Sequence, residues 1–74
     1  MKQFHLEEVK GNNENTYRIR IFEDDKKLTA ALNLVTVMNG QEHEDSVKVK
    51  DYPLNTLLLE ILEEARLWAL SANF

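Results

Sequence analysis

Residues 17–50 read YRIRIFEDDKKLTAALNLVTVMNGQEHEDSVKVK and decide the fold, because they contain two candidate β-hairpins whose registers agree. The first prediction is a two-residue turn at Asn39-Gly40, a strong hairpin signal, and the second is a turn at Asp24-Asp25. Both turns together place one apolar set on the same side of three strands. The expected pairs are Leu32 with Val47, Ala30 with Val49, Tyr17 with Leu32, Ile19 with Ala30, and Ile21 with Leu28.

The segment before these hairpins predicts a further strand, Phe4 to Val9, in which Phe4 and Leu6 extend the same apolar side. Residues 28–38 leave one alternative open, because their apolar residues also fit a single helical stripe. The run Val35-Thr36-Val37 favours a strand, since β-branched side chains lose rotamer freedom in a helix.

The last third of the chain predicts a helix, with Pro53 in its first turn and Asp51, Tyr52 or Asn55 as the capping residue. At 100° per residue its apolar positions fill one arc of roughly 140°. These positions are Leu54, Leu57, Leu58, Ile61, Leu62, Ala65, Trp68 and Ala69. The predicted fold is therefore α+β: one small domain over residues 1–74, a four-stranded antiparallel β-meander with one C-terminal α-helix packed across one face (ββββα).

Composition limits the classes of function. The chain has 74 residues, 13 acidic and 9 basic side chains, and a net charge of −4, which argues against a dedicated binder of duplex DNA. It has no cysteine, which excludes disulfides and thiolate sites and predicts a cytoplasmic protein. Neither an apolar signal segment nor a membrane-spanning stretch is present, so we expect no membrane partner.

Residues suited to catalysis are sparse, and the sequence predicts no enzyme, no cofactor and no metal site. His5 and His43 lie on different predicted strands. His43 can converge with Asp45 on one face of a strand, but no third ligand is near. The helical cluster Glu60, Glu63 and Glu64 has no opposing carboxylate or histidine and is interpreted as a solvated face.

The uncovered face of the predicted sheet offers one alternative function, the binding of single-stranded nucleic acid. In the expected register, cations surround one aromatic residue, as in platforms that stack bases and contact phosphates. The residues concerned are Arg18, Arg20, Phe22, Lys27, Lys48 and Lys50, with His5, Glu7, Thr29 and Ala31 on the same face.

The hairpin around Asn39-Gly40 predicts a binding surface for a protein. We call residues 33–46 the arm, because in the expected register it extends past the end of the second strand. Apolar side chains at an exposed strand edge favour pairing with another chain, and acidic residues can either protect such an edge or meet a basic partner. The predicted partner-binding residues are Leu34, Val35, Val37, Met38, Glu42, Glu44 and Asp45.

A second apolar stripe on the predicted helix indicates self-association. Leu59 and Leu70 point in nearly the same direction outside the core arc, and Phe74 is a further candidate. Because a domain of this size buries little surface, a homodimer through these residues is expected. A structural subunit of a larger assembly is the alternative that the same surface allows.

The run Ile19-Arg-Ile-Phe-Glu-Asp-Asp-Lys-Lys-Leu28, followed by a long strand and Val37-Met38-Asn39-Gly40, resembles the hairpin pattern of small phage-encoded anti-CRISPR proteins. The resemblance implies a short sheet-plus-helix domain that inhibits a bacterial surveillance complex by occupying a protein surface. Together with the surfaces above, it predicts a non-enzymatic protein-interaction module, a small acidic inhibitor or adaptor of phage or viral origin.

Overall fold

The computed structural model describes residues 1–71 and has the predicted ββββα architecture. The strands are β1 (Lys2–Lys10), β2 (Thr16–Glu23), β3 (Lys27–Met38) and β4 (Gln41–Pro53), followed by the helix α1 (Leu58–Ser71). They form one antiparallel sheet in the order β1-β2-β3-β4. Residues 28–38, for which the sequence left a helix open, lie in β3.

The Asn39-Gly40 turn is confirmed, and it sets the register of the outer half of the β3–β4 hairpin. Both turn residues have positive φ, 55° and 76°, as the mirror-image turns of two-residue hairpins require. The expected pairing holds from Met38 opposite Gln41 to Asn33 opposite Ser46. Beyond this point a bulge at Val47 inserts one residue into β4, so Leu32 faces Lys48 instead of Val47.

The turn between β2 and β3 is longer than expected. Asp24 accepts hydrogen bonds on Oδ1 from the backbone N–H groups of Lys26 and Lys27, at 2.7 and 2.9 Å. This side-chain-stabilised loop pairs Glu23 with Leu28, and Ile19 consequently faces Leu32 instead of Ala30. The register differs from the prediction by two residues, an even number, so every side chain keeps its expected face.

The prediction for β1 is wrong over most of the strand, because a bulge at Phe4 separates the pairs Gln3–Phe22 and His5–Ile21. A shift of one residue reverses the faces of the strand. Leu6 therefore points away from the helix and is exposed, whereas the half-buried side chains of the strand point toward it. These side chains are His5, Glu7 and Val9.

The helix begins later than predicted. Pro53 ends β4 because Tyr52 pairs with Leu28 in the sheet, and the chain then turns with Thr56 N–H donating to the Pro53 carbonyl at 3.0 Å. As a result Leu54, Leu57 and Leu58 are exposed, contrary to the prediction that they belong to the core. The buried helix residues are the remainder of the predicted arc: Ile61, Leu62, Ala65, Trp68 and Ala69.

The core lies between α1 and one face of the sheet. Of the eight residues that the two hairpin registers placed on the apolar face, Val49 is exposed and Val47 is only partly buried against the core. The other six are in the core, with Tyr52 in addition: Tyr17, Ile19, Ile21, Leu28, Ala30 and Leu32. The C-terminal end of α1 comes close to the β1–β2 loop, where a Cβ atom on Gly11 would lie 2.7 Å from the Ala69 carbonyl oxygen. Only glycine permits this approach without displacement of the helix.

Candidate interaction surfaces

The sheet face opposite α1 is uncovered, and we call it the open face. Pairing and parity assign to it alternate residues of all four strands. Its members include Gln3, Leu6, Glu8, Arg18, Arg20, Phe22, Thr29, Ala31, Asn33, Val35, Val37, Glu42, Glu44, Val49 and Asp51. The open face has a charged centre, exposed apolar side chains on its two edge strands, and an extension along the arm.

Arg18 lies at the centre of the charged region and bonds to three carboxylates. Its Nη1 and Nη2 donate to Glu42 at 2.9 and 2.7 Å, a bidentate geometry. Nη1 also donates to Glu44 at 3.1 Å, and Nε donates to Glu8 at 3.3 Å. These bonds, those to Glu42 above all, raise the pKa of the Arg18 guanidinium further above its ordinary value.

Glu44 joins this group to the neighbouring Arg20. Arg20 donates to it through Nε and Nη2 at 2.6 and 2.9 Å, and Asn33 adds an amide hydrogen bond at 2.8 Å. The bonds from Arg20, followed by those from Asn33 and Arg18, outweigh desolvation and lower the pKa of the Glu44 carboxyl to about 2. Glu44 is therefore a structural member of the sheet, although the sequence marked it as a partner-binding residue.

The network is layered, with guanidinium groups beneath carboxylates. The Arg18 and Glu44 side chains are 19% and 20% exposed, whereas Glu42 is 52% and Glu8 60% exposed. A molecule approaching the open face therefore meets carboxylates first. Their charge is largely neutralised from below, so this surface is weakly acidic.

Exposed apolar side chains lie on the two edge strands of the open face. Leu6 on β1 and Val49 on β4 occupy one row across the sheet, with Arg20 and Ala31 between them, and Phe4 lies at the bulge of β1. Phe4, Leu6 and Val49 are exposed. The sequence predicted all three in the core, because no local signal marks either bulge.

The arm projects less far than predicted, because the shifted β2–β3 register pairs Val35 with Thr16. Leu34 and Val35 are consequently half-buried, and Leu34 packs against the core. Val37 and Met38 are exposed, on opposite faces of the hairpin. Asp45 pairs with Leu34 and is directed away from the open face, so the predicted partner-binding residues are divided between two faces.

The cations that suggested a nucleic-acid platform do not share one surface. The bulge at Val47 turns Lys48 and Lys50 toward the helix, where Lys48 Nζ lies 5.2 Å from the centroid of the Trp68 ring. Lys50 forms an ion pair with Glu64 of α1. Since Arg18 and Arg20 are bound to carboxylates, residues 1–71 contain no continuous platform of free cations.

The outer face of α1 carries a third surface. Leu59, Leu67 and Leu70 are exposed there, together with Glu63 and Arg66. The predicted dimer residues Leu59 and Leu70 are thus at the surface, while Phe74 lies outside the described residues.

His5 and His43 are far apart in the fold. His5 lies on the helix side of β1, with Nε2 3.5 Å from a Glu7 carboxylate oxygen, and His43 is exposed near the tip of the arm. Within residues 1–71, no group of three or more candidate ligands could hold a metal ion, and no cavity forms. The described helix is too short and too polar to cross a membrane.

Comparison of the chain with protein-family models, with curated proteins and with solved structures finds no match.

Proposed function

We propose that this protein is a non-enzymatic interaction module, a small inhibitor or adaptor, that binds another protein through the open face. The observation that carries the proposal is the pair of exposed apolar side chains Leu6 and Val49, which lie on the two edge strands of the open face with the layered network of ion pairs between and beside them. One partner surface can bury apolar side chains at both edges of such a face while it covers the paired charges between them.

The network supports this function because its charges are already paired. Burying an unpaired charge in an interface costs several kcal/mol, whereas a guanidinium bonded to carboxylates of its own chain keeps its partners when water is removed. Arg18 bonds to Glu8, Glu42 and Glu44, and Arg20 bonds to Glu44. A partner could therefore cover the centre of the open face without leaving either arginine unsatisfied.

The arrangement of carboxylates above guanidinium groups indicates what kind of surface the partner would present. Glu8 and Glu42 are the outermost charged groups of the network, and the chain has a net charge of −4. We therefore expect a protein surface that presents both apolar and basic residues. Because the carboxylates are partly neutralised, they would contribute to the association rate and orientation more than to affinity.

The test is affinity capture from a lysate of the cells that encode the protein, with two matched variants. Val49→Glu places a charge at the β4 edge of the open face, and Leu57→Glu makes the same kind of change at a similarly exposed site before α1. We expect the wild type and Leu57→Glu to retain a common protein that Val49→Glu loses. Circular dichroism checks that both variants are folded. Equal retention by both variants would exclude the open face as the binding surface.

A further inference from the structure

We propose that two copies of this chain pair through the outer faces of their α1 helices, antiparallel about a two-fold axis that passes between Glu64 and Ala65. The proposal does not rest on the proposed function, because it uses the opposite side of the molecule from the open face. It names the partner, a second copy, and the residues that meet.

The contact surface is a stripe of four residues along α1: Leu59, Glu63, Arg66 and Leu70. Their spacings of four, three and four residues are those of the seam between two paired helices. Leu59 is 68% and Leu70 43% exposed, and neither contributes to the core. Leu67, which borders the stripe, is 63% exposed.

The stripe is complementary to the same stripe of a second copy that runs in the opposite direction. When it is turned end to end about its centre, Leu59 meets Leu70 of the second copy and Glu63 meets Arg66 of the second copy. A two-fold axis makes each of these contacts twice, as closed dimers require. A parallel pairing in register would instead place Glu63 against Glu63 and Arg66 against Arg66, which like-charge repulsion disfavours.

Both charged residues of the stripe have hydrogen-bonding groups that could contact the second copy. Arg66 donates to Glu7 of β1 through Nε and Nη2, at 2.6 and 2.7 Å. The guanidinium is therefore held in place by β1, and its Nη1 does not bond to Glu7. Glu63 is exposed and accepts no hydrogen bond from any residue in 1–71, and its charge contributes to the raised pKa of Arg66 in the same chain. The anchored guanidinium can therefore receive the carboxylate of Glu63 from the second copy with little loss of side-chain entropy.

The size of the surface sets the expected affinity. Leu59, Leu67 and Leu70 together expose roughly 300 Å² per copy, so their burial in a pair covers roughly 600 Å², below the roughly 1,200 Å² of standard specific interfaces and in the range of weak contacts. We therefore expect a dimer with a dissociation constant in the micromolar range. Solution mass should be measured up to about 100 μM, well above that value.

The first test is charge reversal with a matched control. Glu63→Arg places arginine opposite Arg66 of the second copy, whereas Glu60→Arg makes the same change of charge on the same helix outside the stripe. In light scattering, we expect the wild type and Glu60→Arg to approach twice the 8.6 kDa mass of one chain. The dissociation constant of Glu63→Arg should be at least about tenfold higher, so its mass should rise toward that of a dimer only at correspondingly higher concentrations.

The second test restores the pairing between two different variants. Arg66→Glu alone places glutamate against Glu63 of the second copy and should weaken the dimer to a similar extent. A mixture of the Glu63→Arg and Arg66→Glu chains has opposite charges at both contacts, and we expect it to form a heterodimer. Circular dichroism checks that Arg66→Glu folds without its bond to Glu7. If Arg66→Glu does not fold, Leu59→Glu replaces it as the variant expected to weaken the dimer, because it leaves the bond between Arg66 and Glu7 intact.

Three results would overturn the proposal. The first is a wild-type chain that stays monomeric at the highest concentration. The second is a Glu63→Arg variant that dimerises as well as Glu60→Arg. The third is a mixture of two folded charge variants that fails to associate although the wild type does. Each result is independent of capture through the open face, so this proposal and the proposed function can fail separately.

Discussion

Glu44 is the residue on which the open face depends most, because its carboxylate connects two arginines and an asparagine across three strands. In the sequence it is one of several acidic residues in the arm, and nothing distinguishes it from Glu42. In the fold it is the more buried of the two. Its neighbours determine its role: Glu44 organises the surface, and Glu42 is presented to solvent.

We expect Glu44 to make the stability of the protein depend on pH in the acidic range. Its carboxyl pKa is about 2 in the folded chain, below the ordinary value of 4.5, so the unfolded chain takes up the proton first as the pH falls. The stabilisation is complete above pH 5 and is lost as the pH falls toward 2. Glu44→Gln should cost about 1–2 kcal/mol at pH 7, since the network is partly exposed, and less as the pH falls.

Urea unfolding of the wild type, Glu44→Gln and Glu60→Gln between pH 7 and pH 2 measures this effect. Glu60 is an exposed glutamate in the first turn of α1 and serves as the matched control. The wild-type and Glu44→Gln curves should converge at low pH, while Glu60→Gln should follow the wild type throughout. A constant difference between the wild type and Glu44→Gln would contradict the assignment.

Among the elements, α1 is held at both of its long sides and at its end. Arg66 bonds to Glu7 of β1 on one side, and Glu64 pairs with Lys50 of β4 on the other. The C-terminal end approaches the β1–β2 loop at Gly11. Burial of the apolar arc from Ile61 to Ala69 orients the helix, and these three contacts are consistent with the same orientation, which leaves the stripe of leucines facing outward.

Gly11→Ala should destabilise the protein by about 1–3 kcal/mol, because the added methyl group would lie within 2.7 Å of the Ala69 carbonyl oxygen and of the Tyr17 ring. The control is Gly40→Asn, at the other glycine. Gly40 has positive φ, which asparagine accepts, and a Cβ there has open space around it. Its effect should stay within about 0.5 kcal/mol.

Urea unfolding at neutral pH compares the two glycine variants with the wild type. A Gly11→Ala variant as stable as the wild type would show that the end of α1 does not lie close enough to the β1–β2 loop to exclude a methyl group.

At the scale of the whole molecule, the two proposed surfaces lie on opposite sides of a thin domain. Its principal extents are 40 × 23 × 17 Å, and the helix covers only one face of the sheet. A domain this small buries a limited fraction of its surface, so contact with further chains is a natural source of added stability. A dimer through α1 would leave both open faces accessible to a partner.

We therefore expect the melting temperature of the wild type to rise with protein concentration, as mass action requires when only the folded state dimerises. Thermal unfolding followed by circular dichroism over about a hundredfold range of concentration measures the effect. Glu63→Arg should weaken the dependence, and Glu60→Arg should keep it. A melting temperature independent of concentration in the wild type would be evidence against the dimer.

The sequence predicted most of the fold because its strongest signals are local. Asn39-Gly40 determines a turn, and parity along β2 and β3 determines which residues are buried even where the register was wrong by two. The arc from Ile61 to Ala69 was confirmed for the same reason, since helical periodicity requires no knowledge of neighbouring elements.

Only the tertiary structure decided the faces of the two edge strands, and with them the surfaces available for function. The bulges at Phe4 and Val47 exchange the sides of Leu6, Val49 and the lysines of β4, and no residue type in the sequence marks either site. The position of a bulge depends on contacts of a strand with the neighbouring strand and with the helix packed on the sheet. These contacts join residues that are distant in the sequence, so the local pattern does not indicate the bulge. The local pattern therefore determined the core, and the pairing of the two edge strands with their neighbours determined the surface.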